Sequence, residues 1–245
     1  MLGLLAISAA LIAGYWLHSR RDRHPLLKLS LFRLRTFRAA VSGSFFTRLG
    51  IGGIPFLFPL LYQVGLGLTP VQSGALMMPQ AIAAMSLKLT MPRILNRFSH
   101  RNVLVSNTIL LGVFIIGFAT IGLATPVWLI VLQVFCFGFL TSLQYTSMNT
   151  LVYADIGDTD ASSASTIAST FQQMSISFGI AWASLATAIF VPDRFHAQPL
   201  QMIEGIHRAF LLLGGLTIVS TLVFAGLRSD DGSAVSQHKA VLPQG

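Results

Sequence analysis

Apolar residues fill seven stretches of the chain, at about 2–17, 39–62, 71–91, 103–123, 127–148, 164–191 and 208–227, with the polar residues gathered in the connections between them. An α-helix needs roughly 17 to 25 apolar residues to cross a hydrocarbon layer of about 30 Å. The pattern therefore predicts an all-α integral membrane protein of seven transmembrane helices. The first stretch is short and is followed, rather than preceded, by arginines, which is the wrong polarity for a secretory signal. It reads as a span cut near its start.

Basic residues orient the spans, because short cytoplasmic loops carry the positive excess. The first connection holds Arg20, Arg21, Arg23, Lys28, Arg33, Arg35 and Arg38, and the third holds Arg93, Arg97 and Arg101. Both are expected in the cytoplasm. The second connection, around "GLGLT", and the fourth, at Ala124 to Pro126, have no base and are expected outside. The acidic loop "YADIGDTDASS" says little about orientation, and parity places it inside. The N-terminus is then outside and the tail from Arg228 cytoplasmic. The run "HPLLKLSLFRLRTFR" alternates Leu and Phe with base, and two readings stay open: a segment lying on the anionic leaflet, or a plain linker.

Composition agrees with the pattern. Hydrophobic residues make up 53% of the 245 and charged residues 10%, against about 25% charged in an average soluble domain, and mean hydropathy is +0.71. The net charge of +8 would suit nucleic acid if the bases clustered on one solvated face. They are dispersed between apolar runs, so the expected partner is the lipid bilayer and not nucleic acid. Cys136 is the single cysteine and lies inside an apolar stretch. It offers neither a disulfide framework nor metal-ligand spacing, and no cofactor is expected.

One residue breaks the apolar pattern most sharply. Arg48 lies about ten positions into the second span, in "SFFTRLGIGGIPFLFPLL". A charge at that depth costs about 2.5–3.5 kcal/mol and is expected to face a bundle interior or a wet cavity. Helical spacing from Arg48 puts Ser44, Gly52, Pro55, Pro59 and Gln63 on one small or polar stripe, with Gly52, Gly53, Pro55 and Pro59 expected to kink the helix. All the acids, Asp22, Asp155, Asp158, Asp160, Asp193, Glu204, Asp230 and Asp231, lie in connections or the tail. A carboxylate partner for Arg48 is therefore absent from the spans. Snorkelling of Arg48 to the nearer surface is the alternative.

Two further spans are unusually polar. In the sixth, Ser162, Ser165, Ser169, Gln173 and Ser177 recur every three or four residues, which suits either close helix packing or a cavity wall. In the fifth, Thr141, Gln144, Tyr145 and Asn149 gather towards the cytoplasmic end and read either as a cavity wall or as a wet helix end. The third span combines Met77, Met78, Met85 and Met91 with Gln80 and Lys88. Methionine adapts to irregular apolar shapes, so both core filling and a tolerant ligand surface fit. Hydrolase chemistry is disfavoured by the lack of H-E-x-x-H and G-x-S-x-G patterns. A retinal protein would need a lysine deep in the last span, and there is none.

The runs "RLGIGGIPFLFPLLYQVGLGLTPVQSGALMMP", "NRFSHRNVLV", "SMNTL" and "ASSASTIASTFQQMSISFGIA" resemble, in order, the second half of fourteen-span major facilitator drug:proton antiporters of the EmrB/QacA type. The resemblance runs from about Leu4 to Phe224. It implies that residues 1–38 hold the remnant of a linker helix and a basic connection, 39–227 a C-terminal six-helix bundle, and 228–245 a disordered cytoplasmic tail. It also implies proton-coupled efflux of small amphiphilic substrates by alternating access across a bacterial inner membrane, with an N-terminal half-transporter as the missing partner and the proton gradient as the energy source. Two alternatives are a non-transporting fragment of a truncated or split gene, and a seven-helix receptor-like protein.

"PRILNRFSHR" resembles the weaker second copy of the superfamily's cytoplasmic gate motif, with Asn96, Arg97 and Arg101 as its candidate residues. Asn96 stands where that motif has an aspartate. The candidate substrate-cavity residues are Ser44, Arg48, Gly52, Gln63, Gln80, Tyr145, Asn149 and Gln173.

Overall fold

The computed structural model describes residues 28–97, 100–191, 199–227 and 231. Among them the regular structure is entirely helical. A 3-10 turn at Leu29–Arg33 leads into α1 (Arg35–Ile51), and α2 (Ile54–Pro59) continues into a π-helical turn at Leu60–Gly65. The remaining helices are α3 (Pro70–Arg97), α4 (His100–Gly117), α5 (Val127–Val152), α6 (Ala161–Phe190) and α7 (Pro199–Ala225). The boundaries follow local chemistry. Gly67, at φ 68°, closes the second span in a conformation that suits glycine. Thr69 then opens α3 with a capping box: its Oγ1 accepts from Gln72 N at 3.3 Å, and Gln72 Oε1 accepts from Thr69 N at 2.9 Å.

Five helical segments are long and apolar enough to cross a membrane: Arg35–Gly65, His100–Thr120, Val127–Val152, Asp158–Phe190 and Leu200–Ala225. Of the seven expected spans, five are matched by these segments among the described residues. The stretch at 71–91 is helical within α3, but α3 is not among the five. Its Gln72, Ser73, Gln80 and Ser86 dilute the apolar content. The stretch at 2–17 lies outside the described residues, as do residues 18–27 of the basic connection and all of the tail except Asp231.

Within the bundle α1 is central, packing against α5, α6 and α7, while α3 packs on α5 and α4 on α7 and α5. Two apolar clusters fill it. One centres on the aromatic group Phe58, Tyr62, Phe118, Phe137 and Phe210, and the other on Phe37, Leu151, Ile167 and Phe224. Tyr145 packs against both clusters.

The second span is interrupted in the middle of the expected stripe, although Gly52 and Gly53 both keep right-handed helical backbone angles. Gly52 and Gly53 form a turn between α1 and α2, which loosens the helical spacing counted from Arg48. Ser44 and Arg48 are buried, whereas Pro55 is exposed on the first turn of α2. Pro59 ends α2 as the backbone passes into the π turn. The interruption coincides with a close helix crossing. A Cβ on Gly52 would lie 3.2 Å from Ile176 Cα, and one on Gly179 would lie 2.8 Å from Leu49 O. Small residues there let α1 and α6 touch backbone to backbone.

Three segments distant in sequence meet at one end of the bundle. Lys28 pairs with Asp160 at 2.5 Å, Thr36 Oγ1 donates to Asp155 at 2.7 Å, and Arg35 forks onto Asp231 at 3.0 and 2.5 Å. The basic entry to α1, the acidic α5–α6 loop and Asp231 of the tail thus share one side. Of the fifteen-residue run "HPLLKLSLFRLRTFR", the part from Arg35 belongs to α1 itself.

Candidate functional site

Arg48 is 5% exposed and points into the bundle, not along a route to the surface. Its Cζ lies 3.7 Å from the centroid of the Tyr145 ring, and its Nε donates to Ser44 Oγ at 2.9 Å, one turn back on α1. No carboxylate pairs with it among the described residues. The described acids with partners are occupied elsewhere, Asp155, Asp160 and Asp231 at the end of the bundle and Glu204 with Arg208 on α7. A desolvated cation over an aromatic face gains about 2 kcal/mol or more, close to the cost of about 2.5–3.5 kcal/mol for placing that charge in a membrane. The Tyr145 face and the Ser44 hydroxyl therefore offset much of the cost of burying Arg48 and fix its guanidinium in place. The partner that the sequence search sought among carboxylates is an aromatic ring on α5.

The other candidates separate from this cluster. Asn149 is exposed at the α5–α6 seam and accepts from Gln172 Nε2 at 3.0 Å. Together with Tyr153, Ser165 and Ser169 these two residues line a pocket of about 250 Å³. Gln173, the residue selected from the sequence, is exposed, while its neighbour Gln172 makes the contact. Gln63 donates weakly to Ser73 at 3.5 Å. Gln80 lies on α3 where Gly138 allows α5 to approach, since a Cβ on Gly138 would be 2.6 Å from Gln80 Cα. Asn96 and Arg97 fall in the last turn of α3, but their side chains lie outside the described residues. Arg101 donates from Nη2 to Ala225 O at 3.4 Å, placing its charge at the negative end of α7.

The wet-end reading of Gln144 is also corrected. Gln144 is fully buried, accepts from Asn107 Nδ2 at 2.7 Å and donates to Thr108 Oγ1 at 2.8 Å. This network ties α4 to α5 directly behind Tyr145 in sequence. Asn107 was missed because it stands in a run of three consecutive polar residues, Ser106, Asn107 and Thr108, which fall on different faces of the helix and mark no stripe.

α6 divides its outward surface in two. Ser162, Thr166, Ser169, Gln173 and Ser177 are exposed along one stripe. Met174, Phe178, Trp182, Leu185 and Ile189 are exposed along another, offset by one residue, or about 100° around the helix. Thr166 and Thr170 return their hydroxyls to the carbonyls of Ser162 and Thr166, which satisfies those donors within the helix. Gln173 makes no side-chain hydrogen bond among the described residues.

Comparison with known proteins adds to this geometry. The model of the Major Facilitator Superfamily matches residues 1–180. A protein of Serratia proteamaculans named multidrug resistance protein MdtD is 35% identical over 209 residues, covering 85% of this chain and 43% of that protein. Its namesake in Escherichia coli O157:H7 is 36% identical over 244 residues, covering 97% and 51%. The one in Pectobacterium atrosepticum is 35% identical over 195 residues, covering 80% and 42%. The chain spans about half the length of these relatives.

Proposed function

The chain belongs to the major facilitator superfamily of multi-pass membrane transporters, and on that premise we propose that it is the C-terminal half of a proton-coupled multidrug efflux antiporter. It works by alternating access in a bacterial inner membrane, rocking against an N-terminal half around a shared cavity. Arg48 is the cavity's fixed positive group. Ser44 and Tyr145 hold the guanidinium in place, and its partner is a carboxylate of the other half or an anionic group on a substrate. The coupling acid belongs to the other half, because a buried titratable acid is what proton transfer through the membrane needs, and the acids on the spans described here, Asp158, Asp160 and Glu204, sit near the start of their segments and none is buried.

The observation that carries this reading is a buried arginine with no acid, on a bundle that also leaves a polar stripe of α6 uncovered. Hydrocarbon is a poor solvent for Gln173 and the serines beside it, whereas a second bundle would cover them. The chain's coverage of about half of each relative leaves room for that second bundle.

The test is drug accumulation in efflux-deficient cells expressing this chain alone, and with the N-terminal half of one of the MdtD relatives. Co-expression should restore proton-dependent efflux that neither half gives alone. Arg48→Ala should remove it with membrane abundance unchanged. Arg48→Lys should restore little, because lysine cannot both stack as a plane and donate to Ser44. Efflux by the chain alone, or unimpaired efflux by Arg48→Ala, would refute the assignment.

A further inference from the structure

We propose that Gln144 is a positioning residue for Arg48: held by Asn107 and Thr108 of α4, it sets the rotation of α5 that lays the Tyr145 ring against the guanidinium. The geometry stands whether or not the bundle transports, and only its effect on efflux rests on the transport reading.

The Arg48 contact depends on which way α5 is turned. Arg48 Cζ lies 3.7 Å from the centroid of the Tyr145 ring, and a cation gains from such a ring only within about 6 Å. A side chain reaches about 5–6 Å from the axis of its helix, so turning α5 by about 20° carries the ring sideways by about 2 Å. The cation then slides off the ring face. Burial alone sets that rotation weakly. The first half of α5 is apolar on both sides, with Trp128, Val131 and Leu132 exposed and Ile130, Val134 and Phe137 buried. Lipid tails suit such side chains as well as a protein core does.

Directional bonds set the rotation instead. Gln144 is fully buried. Its Oε1 accepts from Asn107 Nδ2 at 2.7 Å, and its Nε2 donates to Thr108 Oγ1 at 2.8 Å. The other hydrogen of Asn107 Nδ2 goes to Leu140 O at 2.8 Å, one turn back on α5. Thr108 in turn donates to Leu104 O at 2.6 Å, which leaves its hydroxyl oxygen to accept from Gln144. Backbone carbonyls only accept, so neither amide can be reversed without losing a bond. α4 therefore grips α5 at two points one helical turn apart. Tyr145 follows Gln144 by one residue, about 100° round the helix, which turns its ring away from α4 to meet Arg48 of α1. Gln144 thus acts on Arg48 through the backbone of α5 and the Tyr145 ring.

The experiment reads Arg48 directly, by nuclear magnetic resonance of the Nε–H group in the full chain, carrying isotope-labelled arginine and held in lipid nanodiscs. Arg48→Lys identifies the signal by removing it, and Tyr145→Leu defines the shift that loss of the ring produces. Gln144→Leu and Thr108→Val should each move the signal in that direction by about half of that shift or more. Thr108→Ser keeps the hydroxyl and should leave the signal in place. Gly205→Ala crowds Val191 just past the end of α6, strains the bundle elsewhere and should also leave it. In the co-expression assay Gln144→Leu should lower efflux roughly tenfold and add little to Tyr145→Leu. A signal that stays in place in both Gln144→Leu and Thr108→Val overturns the positioning role, as does an equal shift in Gly205→Ala. Full additivity with Tyr145→Leu overturns the route through the ring. Absence of efflux on co-expression defeats the transport reading alone, because the resonance shift still decides the positioning.

Discussion

The outer faces of α4 and α7 differ from the polar stripe of α6, though all three are uncovered. On α4 and α7 the exposed residues include Ile109, Leu110, Val113, Leu212, Val219 and Leu222. On α6 they include Ser162, Ser169, Gln173 and Ser177. Equal exposure with opposite chemistry means that the two faces are built for different surroundings. Leucine and valine are at home in lipid tails, whereas a glutamine amide is not. α6 carries the distinction within one helix, since Phe178, Trp182 and Leu185 lie on the neighbouring arc.

The comparison breaks most visibly in transport. With a complementary N-terminal half, the double change Ser169→Leu and Gln173→Leu should abolish co-expression-dependent efflux, while Val113→Leu and Val219→Leu should leave it within about twofold. Drug accumulation reads both, and equal tolerance on the two faces would erase the distinction between them. Next in size is the buried arc of α6. Gly179→Leu pushes atoms into the backbone of Leu49 and Gly52 and should destabilise the bundle by about 1–3 kcal/mol or more, seen as earlier thermal unfolding in detergent. Gln144→Leu removes one hydrogen bond each from Asn107 and Thr108, which keep the carbonyls of Leu140 and Leu104, and should cost about 1 kcal/mol by the same assay. The smallest effect is expected at Lys28 and Asp160, whose side chains are 43% and 31% exposed. Lys28→Ala should change stability by less than about 1 kcal/mol, and less still at high salt.

The spans were legible because their length and apolarity are set by the thickness of the bilayer, which acts on each stretch by itself. The break at Gly52 and Gly53 was legible as a weak point, but its consequence was not. A uniform helix carries the stripe from Arg48 on to Pro59 and Gln63, whereas the structure interrupts it with a turn at Gly52 and Gly53, beyond which Pro55 is exposed. Arg48, Ser44 and Tyr145 were each visible as candidates, yet the contact of Arg48 with Tyr145 depends on α1 packing against α5, which no local pattern encodes. The acids of the α5–α6 loop say little about orientation, and their pairing with Lys28 and Thr36 required the loop and the entry to α1 to meet. Asn107 carried no periodic signal at all.

The central claim is that the polar stripe of α6 faces a second bundle while the outer face of α7 faces lipid. The most direct test places a nitroxide label at position 169, 173 or 219 in turn, after Cys136→Ser, and measures collision with oxygen, which concentrates in lipid, and with a water-soluble nickel complex. In a bilayer with the N-terminal half present, labels at 169 and 173 should lose accessibility to both relative to the chain alone. The label at 219 should stay oxygen-accessible in either case. Labels at 169 and 173 that remain as oxygen-accessible as the one at 219, with the other half bound, would contradict the account.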